Sequence, residues 1–153
     1  MTHNTIQAME KAPSMIFQPC VLPISNKLHN AIQSQIVRHQ ANINSSTITL
    51  NFKDKSYSAE TGGYHPVEIS IIKGSNSQWI ILYITDFAYF GLGYPELERD
   101  IDFDIGNAMV FATGMGWMDI KSPGITELFE MWQENFLAYL DMDVYDDIEI
   151  TFN

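Results

Sequence analysis

The hydrophobic and polar positions of this chain repeat with two periods, one helical and one extended. Apolar residues recur every four positions between residues 26 and 40, which predicts a first helix with Ser25 or Asn26 as its N-cap and the stripe Leu28, Ile32 and Ile36. A second helix is predicted with Ser122 as its cap and Pro123 in its first turn. Its apolar face comprises Ile125, Leu128, Phe129, Trp132, Phe136, Tyr139 and Leu140.

Alternation with a period of two predicts strands at 46–53, 66–73, 97–105 and 146–152. Segment 78–87 is apolar on both faces, which predicts a central strand covered on both sides or a strand that gives one face to a partner. Segment 108–113 is a further candidate, so that the sheet is expected to have five or six strands. Because hairpin-length links join most of them, we expect an α+β fold, in which two main helices pack on one face of a mostly antiparallel sheet. Residues 1–23, interrupted by Pro13, Pro19 and Pro23, are predicted to be an extended arm, and residues 24–153 a single domain.

Charge is distributed unevenly along the chain. Residues 1–95 hold 5 acidic and 6 basic residues, whereas residues 96–153 hold 14 acidic and 2 basic ones, and the net charge is −11. This balance opposes direct binding to nucleic-acid phosphates and to anionic membranes. It favours a basic protein partner for the acidic C-terminal third.

One short run of acidic residues has the period of a strand, which predicts that its carboxylates share one face: Glu96, Glu98, Asp100, Asp102 and Asp104. The second helix extends this acidic surface with Glu127, Glu130 and Glu134. A calcium loop beginning at Asp100 would need Gly at position 6 and Glu at position 12, where this chain has Ile105 and Phe111. We therefore expect no metal and no other cofactor, with an irregular cation site as the alternative.

A pocket is predicted where the first two strands are joined, around Tyr64 and His65. The preceding Gly62-Gly63 pair allows unusual backbone angles, and histidine titrates near neutral pH. If segments 66–73 and 78–87 form a hairpin, Glu68 lies roughly opposite residue 83, and Asp86 lies nearer to His65. A histidine–carboxylate pair is able to act as acid and base, although no Ser, Cys or Lys stands in a recognisable nucleophile motif.

Cysteine content and hydropathy bear on the cellular compartment. The single cysteine, Cys20, excludes an intrachain disulfide and fits a reducing compartment, and with no charged residue nearby it is expected to be unreactive. The longest apolar run, 79–84, is far shorter than the roughly 20 residues that span a bilayer. The first 14 residues lack the basic and apolar regions of a signal peptide. We expect a cytoplasmic protein.

Several strings of residues, in order, resemble the bacterial family known as domain of unknown function 2787. They are 51–60, 62–69, 83–87, Pro95-Glu96-Leu97, Asp102-Phe103-Asp104 and Trp132-Gln133-x-Asn135-Phe136. The resemblance covers most of residues 24–153 and leaves the arm outside. It implies a small soluble protein with no established activity, and it assigns no catalytic or ligand-binding residue.

These observations lead to two functional hypotheses. The first is a non-enzymatic protein-binding module that meets a basic partner through the acidic C-terminal third. A homo-oligomer is left open as well. The alternative is a small enzyme or ligand-binding protein that uses the pocket around Tyr64, His65, Glu68 and Asp86.

Overall fold

The computed structural model describes residues 15–39 and 44–153. Two helices and seven strands follow one another in the order α1 (Asn26–Arg38), β1 (Thr47–Lys53), β2 (Val67–Lys73), β3 (Trp79–Phe90), β4 (Glu96–Asp104), β5 (Met109–Ala112), β6 (Gly116–Asp119), α2 (Ile125–Asp141) and β7 (Asp147–Phe152). A short 3-10 helix, Ile105–Asn107, joins β4 to β5. Within these ranges, neither helix has the length and apolar content that crossing a bilayer requires.

All seven strands form one antiparallel sheet in the order β6-β5-β4-β3-β2-β1-β7. Strands β1 to β6 run as a meander, and α2 carries the chain back so that β7 pairs with the free edge of β1. The predicted α+β class and antiparallel sheet are confirmed, but the sheet has seven strands and not five or six. The missed strand, β6, is only four residues long and begins at Gly116, directly after a tight turn that contains Gly114; the two glycines have positive φ angles of 75° and 85°.

The core lies where α2 covers the centre of the sheet. The cross-strand neighbours Leu50, Ile69, Ile84 and Phe103 are completely buried. Phe129 of α2 meets the Phe103 ring edge-on at a centroid distance of 5.1 Å. The stripe of α1 joins the same hydrophobic cluster through Leu28, Ile32 and Ile36.

The two helices begin differently. Ser25 caps α1 as predicted, because its Oγ accepts a hydrogen bond from the Leu28 backbone N–H at 3.1 Å. The prediction that Ser122 caps α2 is wrong. The cap is Gly124, which has a left-handed φ of 88° and therefore starts the helix two residues further on, without a side-chain cap.

The part of the predicted arm that the structure describes, residues 15–23, lies against the domain. Phe17 forms a parallel bridge with Trp79, and its ring stacks on His29 at 4.4 Å. Met15 and Leu22 are buried in the core cluster. The first 14 residues of the arm lie outside the described residues, as does Gln40 at the predicted end of the first helix.

Candidate functional site

A cleft of about 280 Å³ opens between α2 and one end of strands β2 to β4. Its floor is mainly aromatic and its rim is polar. The lining residues are Gly63, Tyr64, His65, Val67, Asp86, Asp100, Ile101, Trp132, Asn135, Phe136, Tyr139 and Tyr145.

The loop before β2 is held close to the preceding segment by a carboxylate and a glycine. Asp54 accepts hydrogen bonds from the Ser56 hydroxyl and from the Tyr64 backbone N–H, and these bonds lower the pKa of Asp54. Gly63 has a φ of 140°, and a Cβ atom there would lie 2.9 Å from Cα of Tyr57. Only glycine fits this approach, which places Tyr64 and His65 at the mouth of the cleft.

His65, Asp86 and Trp132 form a chain of hydrogen bonds across the cleft. Nδ1 of His65 donates to Oδ1 of Asp86 at 2.7 Å, and Nε1 of Trp132 donates to Oδ2 at 3.0 Å. Asp86 is in register with Val67, the second residue after His65, which explains its position beside the imidazole. Both oxygens of Asp86 are therefore held by donors from the loop and from α2.

The carboxylates beside His65 change its titration. The hydrogen bond to Asp86 raises the pKa of His65, burial opposes this effect, and the charges of Asp86 and Asp100 add to the increase. Oδ2 of Asp100 lies 3.7 Å from Nδ1 of His65. The imidazole therefore holds a proton more strongly than a free histidine does.

A β-bulge brings Asp100 into the cleft. Asp86 pairs with Ile101, but the next residue, Phe87, pairs with Arg99, so that Asp100 is an extra residue in β4. Asp100 and Ile101 consequently line the same cleft. The prediction that the five carboxylates of this run share one face is wrong, because the bulge interrupts the alternation.

Asp102 and Asp104 line a second depression, of about 320 Å³, on the opposite face of the sheet. Burial raises the pKa of Asp102, which is 7% exposed. Its Oδ2 lies 3.4 Å from Nε of Arg99, whereas its buried Oδ1 has no hydrogen-bond partner among the described residues. The rest of this depression is lined by Glu68, Tyr83, Thr85, Phe87 and Asn107.

The four residues of the predicted pocket do not all meet. Tyr64, His65 and Asp86 line the cleft, but Glu68 faces the second depression and accepts a hydrogen bond from the Tyr83 hydroxyl. Alternation along β2 explains this placement, since Val67 points into the cleft and its neighbour points away. A bulge between Ser70 and Ile71 also moves the register, so that residue 68 pairs with residue 85 and not with residue 83.

The remaining predicted acidic residues stay on the surface. Glu96 and Glu98 of β4 are exposed, and so are Glu127, Glu130 and Glu134 of α2. Cys20 is half-buried, and burial raises its pKa, which opposes formation of the reactive thiolate.

Sequence reasoning missed the contributions of α2 and of the last loop to the cleft. Trp132 and Phe136 were predicted only as core residues, and Tyr145 was assigned no role. The apolar pattern of α2 identified its buried face, but no local signal shows that Trp132 reaches Asp86, 46 positions earlier in the chain.

The charges at the cleft favour a positively charged occupant. Two carboxylates and one imidazole face it, and no Lys or Arg occurs among its lining residues. His65, Asp86 and Asp100 each offer one ligand atom, and these three atoms lie within 4.8 Å of one another, close enough to converge on one ion.

Comparisons with known proteins identify relatives of the same fold. A hypothetical protein from the VSP-II pathogenicity island of Vibrio cholerae is 46% identical, with a TM-score of 0.80, and the match covers 88% of this chain and 98% of that one. A conserved hypothetical protein from the VPI-2 island of V. cholerae O1 biovar eltor is 44% identical, with a TM-score of 0.80 and coverage of 89% and 100%. The latter is described as sharing structural homology with the human P32 protein. None of the curated proteins matches the sequence.

The model of a protein family of unknown function, DUF2787, matches residues 26–151, which is most of the domain. The resemblance noted in the sequence is therefore confirmed. The chain belongs to the DUF2787 family of proteins of unknown function.

Proposed function

We propose that this protein acts by binding, and that its cleft takes a positively charged organic group, an ammonium or a guanidinium. The observation that carries the proposal is the pair of carboxylates, Asp86 and Asp100, on the wall of a cleft with no Lys or Arg in its lining. Their side chains are 14% and 27% exposed, so water screens them less than it screens surface carboxylates.

Asp100 is the better anchor for such a group. Both oxygens of Asp86 already accept hydrogen bonds, from His65 and from Trp132. The side chain of Asp100 has one polar contact among the described residues, at 3.7 Å from His65, so it keeps acceptor capacity towards the cleft. A bound cation would meet this carboxylate at the rim, while its hydrocarbon part would lie over the aromatic floor.

The aromatic floor suits the apolar part of an amine or a basic side chain. Trp132 and Phe136 stack at 5.0 Å, and the Tyr64 ring meets Tyr139 edge-on at 4.8 Å. Trp132 is only 7% exposed, and its indole N–H donates to Asp86, so this part of the floor is held in place. A rigid site loses less conformational entropy on binding than a flexible one does.

The exposed acidic residues support a protein as the source of the cation. The net charge of −11 and the carboxylates of β4 and α2 would attract a basic partner. This attraction extends over the Debye length, which is roughly 8–10 Å at physiological ionic strength. A Lys or Arg side chain of such a partner has the same chemistry as a free amine. The experiment below distinguishes these two sources.

The pair of His65 and Asp86 favours one second candidate function, general acid–base catalysis. Their 2.7 Å hydrogen bond has the geometry of a base and the residue that orients it. However, no Ser, Cys or Lys lines the cleft, and burial raises the pKa of Tyr145, so the cleft lacks an activated nucleophile. Binding therefore accounts for more of the geometry than catalysis does.

The test is a titration of the full chain, followed by NMR, with butylammonium, butylguanidinium and the uncharged analogue butanol. We expect the two cations to shift resonances of cleft residues and butanol to bind at least tenfold more weakly. Asp100→Asn should weaken the cations by about 10- to 100-fold, since a hydrogen bond to a charged group contributes about 1.5–3 kcal/mol. Glu98→Gln, which removes an equal charge from an exposed site on the same strand, should leave the affinity unchanged.

The second part of the test is a titration with a short lysine-containing peptide. If it binds at least tenfold more tightly than butylammonium, the source is a protein partner; if it binds more weakly, the source is a free amine. Equal binding of butanol and butylammonium, or an unchanged affinity in Asp100→Asn, would refute the proposal.

A further inference from the structure

We infer that His65, Asp86 and Asp100 form a binding site for a divalent transition-metal ion, of which Zn²⁺ is the best fit and Mn²⁺ a weaker one. The inference goes beyond the proposed function, because it places a different cation in the same cleft and uses Asp100 as a metal ligand. It adds a chemical requirement that an organic cation does not have, namely the imidazole nitrogen of His65.

The three possible ligand atoms lie close to one another, at separations near those found around a bound zinc ion. Nδ1 of His65 is 2.7 Å from Oδ1 of Asp86 and 3.7 Å from Oδ2 of Asp100, and all three atoms lie within 4.8 Å of one another. Ligand atoms bound to Zn²⁺ at about 2.0–2.2 Å are separated by roughly 3.3–3.6 Å when the geometry is tetrahedral. Nδ1 and Oδ1 are closer than two zinc ligands, so this pair would separate by roughly 0.6–0.9 Å as Nδ1 releases its proton to solvent. Asp100, the more exposed carboxylate, would turn towards the ion.

The support of these ligands resembles that of a metal site. They come from three different segments: the loop before β2, strand β3 and the bulge in β4. The Trp132 indole N–H holds Oδ2 of Asp86 and thereby directs Oδ1 towards His65. Hydrogen bonds of this kind from outside the ligand set orient metal-binding carboxylates in known sites.

The ligand types select the metal. One imidazole nitrogen and two carboxylate oxygens suit Zn²⁺ and Mn²⁺, whereas Mg²⁺ and Ca²⁺ prefer oxygen ligands alone. The cleft beside the three ligands would leave a coordination position open to water or to a further ligand. The second depression makes a useful contrast, because its carboxylates have no imidazole and the Arg99 guanidinium already lies beside Asp102.

Calorimetric titration of the untagged full chain, freed of metal by chelator and dialysis, tests the inference. We expect one equivalent of Zn²⁺ to bind, Mn²⁺ to bind more weakly, and Mg²⁺ and Ca²⁺ to bind at least 100-fold more weakly than Zn²⁺. His65→Gln and Asp100→Asn should each weaken Zn²⁺ binding by at least tenfold, with Glu98→Gln unchanged. Unchanged Zn²⁺ affinity in His65→Gln, or equal affinity for Zn²⁺ and Ca²⁺, would overturn the inference.

His65→Gln also separates the two proposals. It removes the nitrogen ligand but keeps both carboxylates, so butylammonium should bind this variant no more weakly than it binds the wild type. Loss of Zn²⁺ binding with retained butylammonium binding supports the metal site. Retained Zn²⁺ binding together with lost butylammonium binding would overturn the metal site.

A measurement on the wild type does not depend on the folding of any variant. Substoichiometric Mn²⁺ broadens NMR resonances near its site through its unpaired electrons. We expect the backbone amide signals of Tyr64, Asp86 and Asn135 to disappear first, and those of Asn107 in the second depression and of Glu130 on the exposed face of α2 to persist. Broadening centred on Asn107 or Glu130 would overturn the inference.

Discussion

Asp86 has a structural role that can be measured without a ligand, by replacing it with asparagine. Its carboxylate is 14% exposed and accepts hydrogen bonds from His65 and from the buried Trp132. Asparagine has one acceptor oxygen, so it is able to serve only one of these donors, and its amide group would face the other. The variant therefore loses at least one charge-assisted hydrogen bond near the core.

The magnitude follows from the two bonds. A hydrogen bond to a charged group contributes about 1.5–3 kcal/mol, and the half-exposed His65 bond belongs at the lower end. We expect Asp86→Asn to lower the free energy of unfolding by about 2 kcal/mol, which is roughly 4–8 °C in Tm for a domain of this size. Glu98→Gln, the control for loss of one charge, should change stability by less than about 0.5 kcal/mol.

The stability lost in Asp86→Asn should depend on pH through the protonation of His65. Because the folded state raises the pKa of His65 above its usual 6.5, the stabilisation by its proton is fully present below pH 6.5 and is lost as the pH rises through the folded pKa. The cost of Asp86→Asn should therefore be larger at pH 5.5 than at pH 8.5. Urea unfolding followed by circular dichroism, with chelator present, measures it at both values. A cost below about 0.5 kcal/mol at both, or one that grows with pH, would refute the reasoning.

Four further substitutions test other features of the structure by thermal or urea unfolding. Asp102→Asn should stabilise the protein by about 1 kcal/mol at pH 7, because burial disfavours the charged carboxylate. Since burial raises the pKa of Asp102 in the folded state, this gain should shrink as the pH falls towards 3.8. A variant that is less stable than the wild type at pH 7 would contradict the reasoning. Gly63→Ala should cost more than Gly62→Ala, because the new Cβ would lie 2.9 Å from Cα of Tyr57 whereas the Gly62 position has open space; equal costs would argue against a close approach. Ser25→Ala should cost about 1 kcal/mol through loss of the helix cap, and an unchanged Tm would show that the cap is dispensable.

The sequence predicted the elements whose signals are local. The stripe of α1 and its cap at Ser25 depend on residues within one or two turns, and the structure has both. The face of α2 was also predicted, with Ile125, Phe129, Trp132 and Phe136 buried. Local signals failed where backbone conformation decided the outcome, as at Gly124, whose positive φ sets the start of α2.

The candidate site was predicted only in part because it combines distant segments. The proximity of His65 to Asp86 followed from hairpin pairing of β2 with β3, which is a short-range argument. The contact between Asp86 and Trp132 depends on how α2 lies across the sheet, which no periodicity encodes. The placement of Glu68 was foreseeable, since alternation from the buried Val67 already directs it to the opposite face.

The bulge in β4 explains why the acidic run reads as one surface in the sequence but forms two sites in the structure. In a regular strand without the bulge, alternation back from Asp102 would place Asp100 on the same face as Asp102, and His65 would face Asp86 alone. The cleft would then have a single carboxylate, whose two oxygens are already occupied by donors. Bulges commonly redirect a side chain beside a functional site. Both the proposed binding of a cation in the cleft and the convergence of His65, Asp86 and Asp100 therefore depend on one irregular residue in β4.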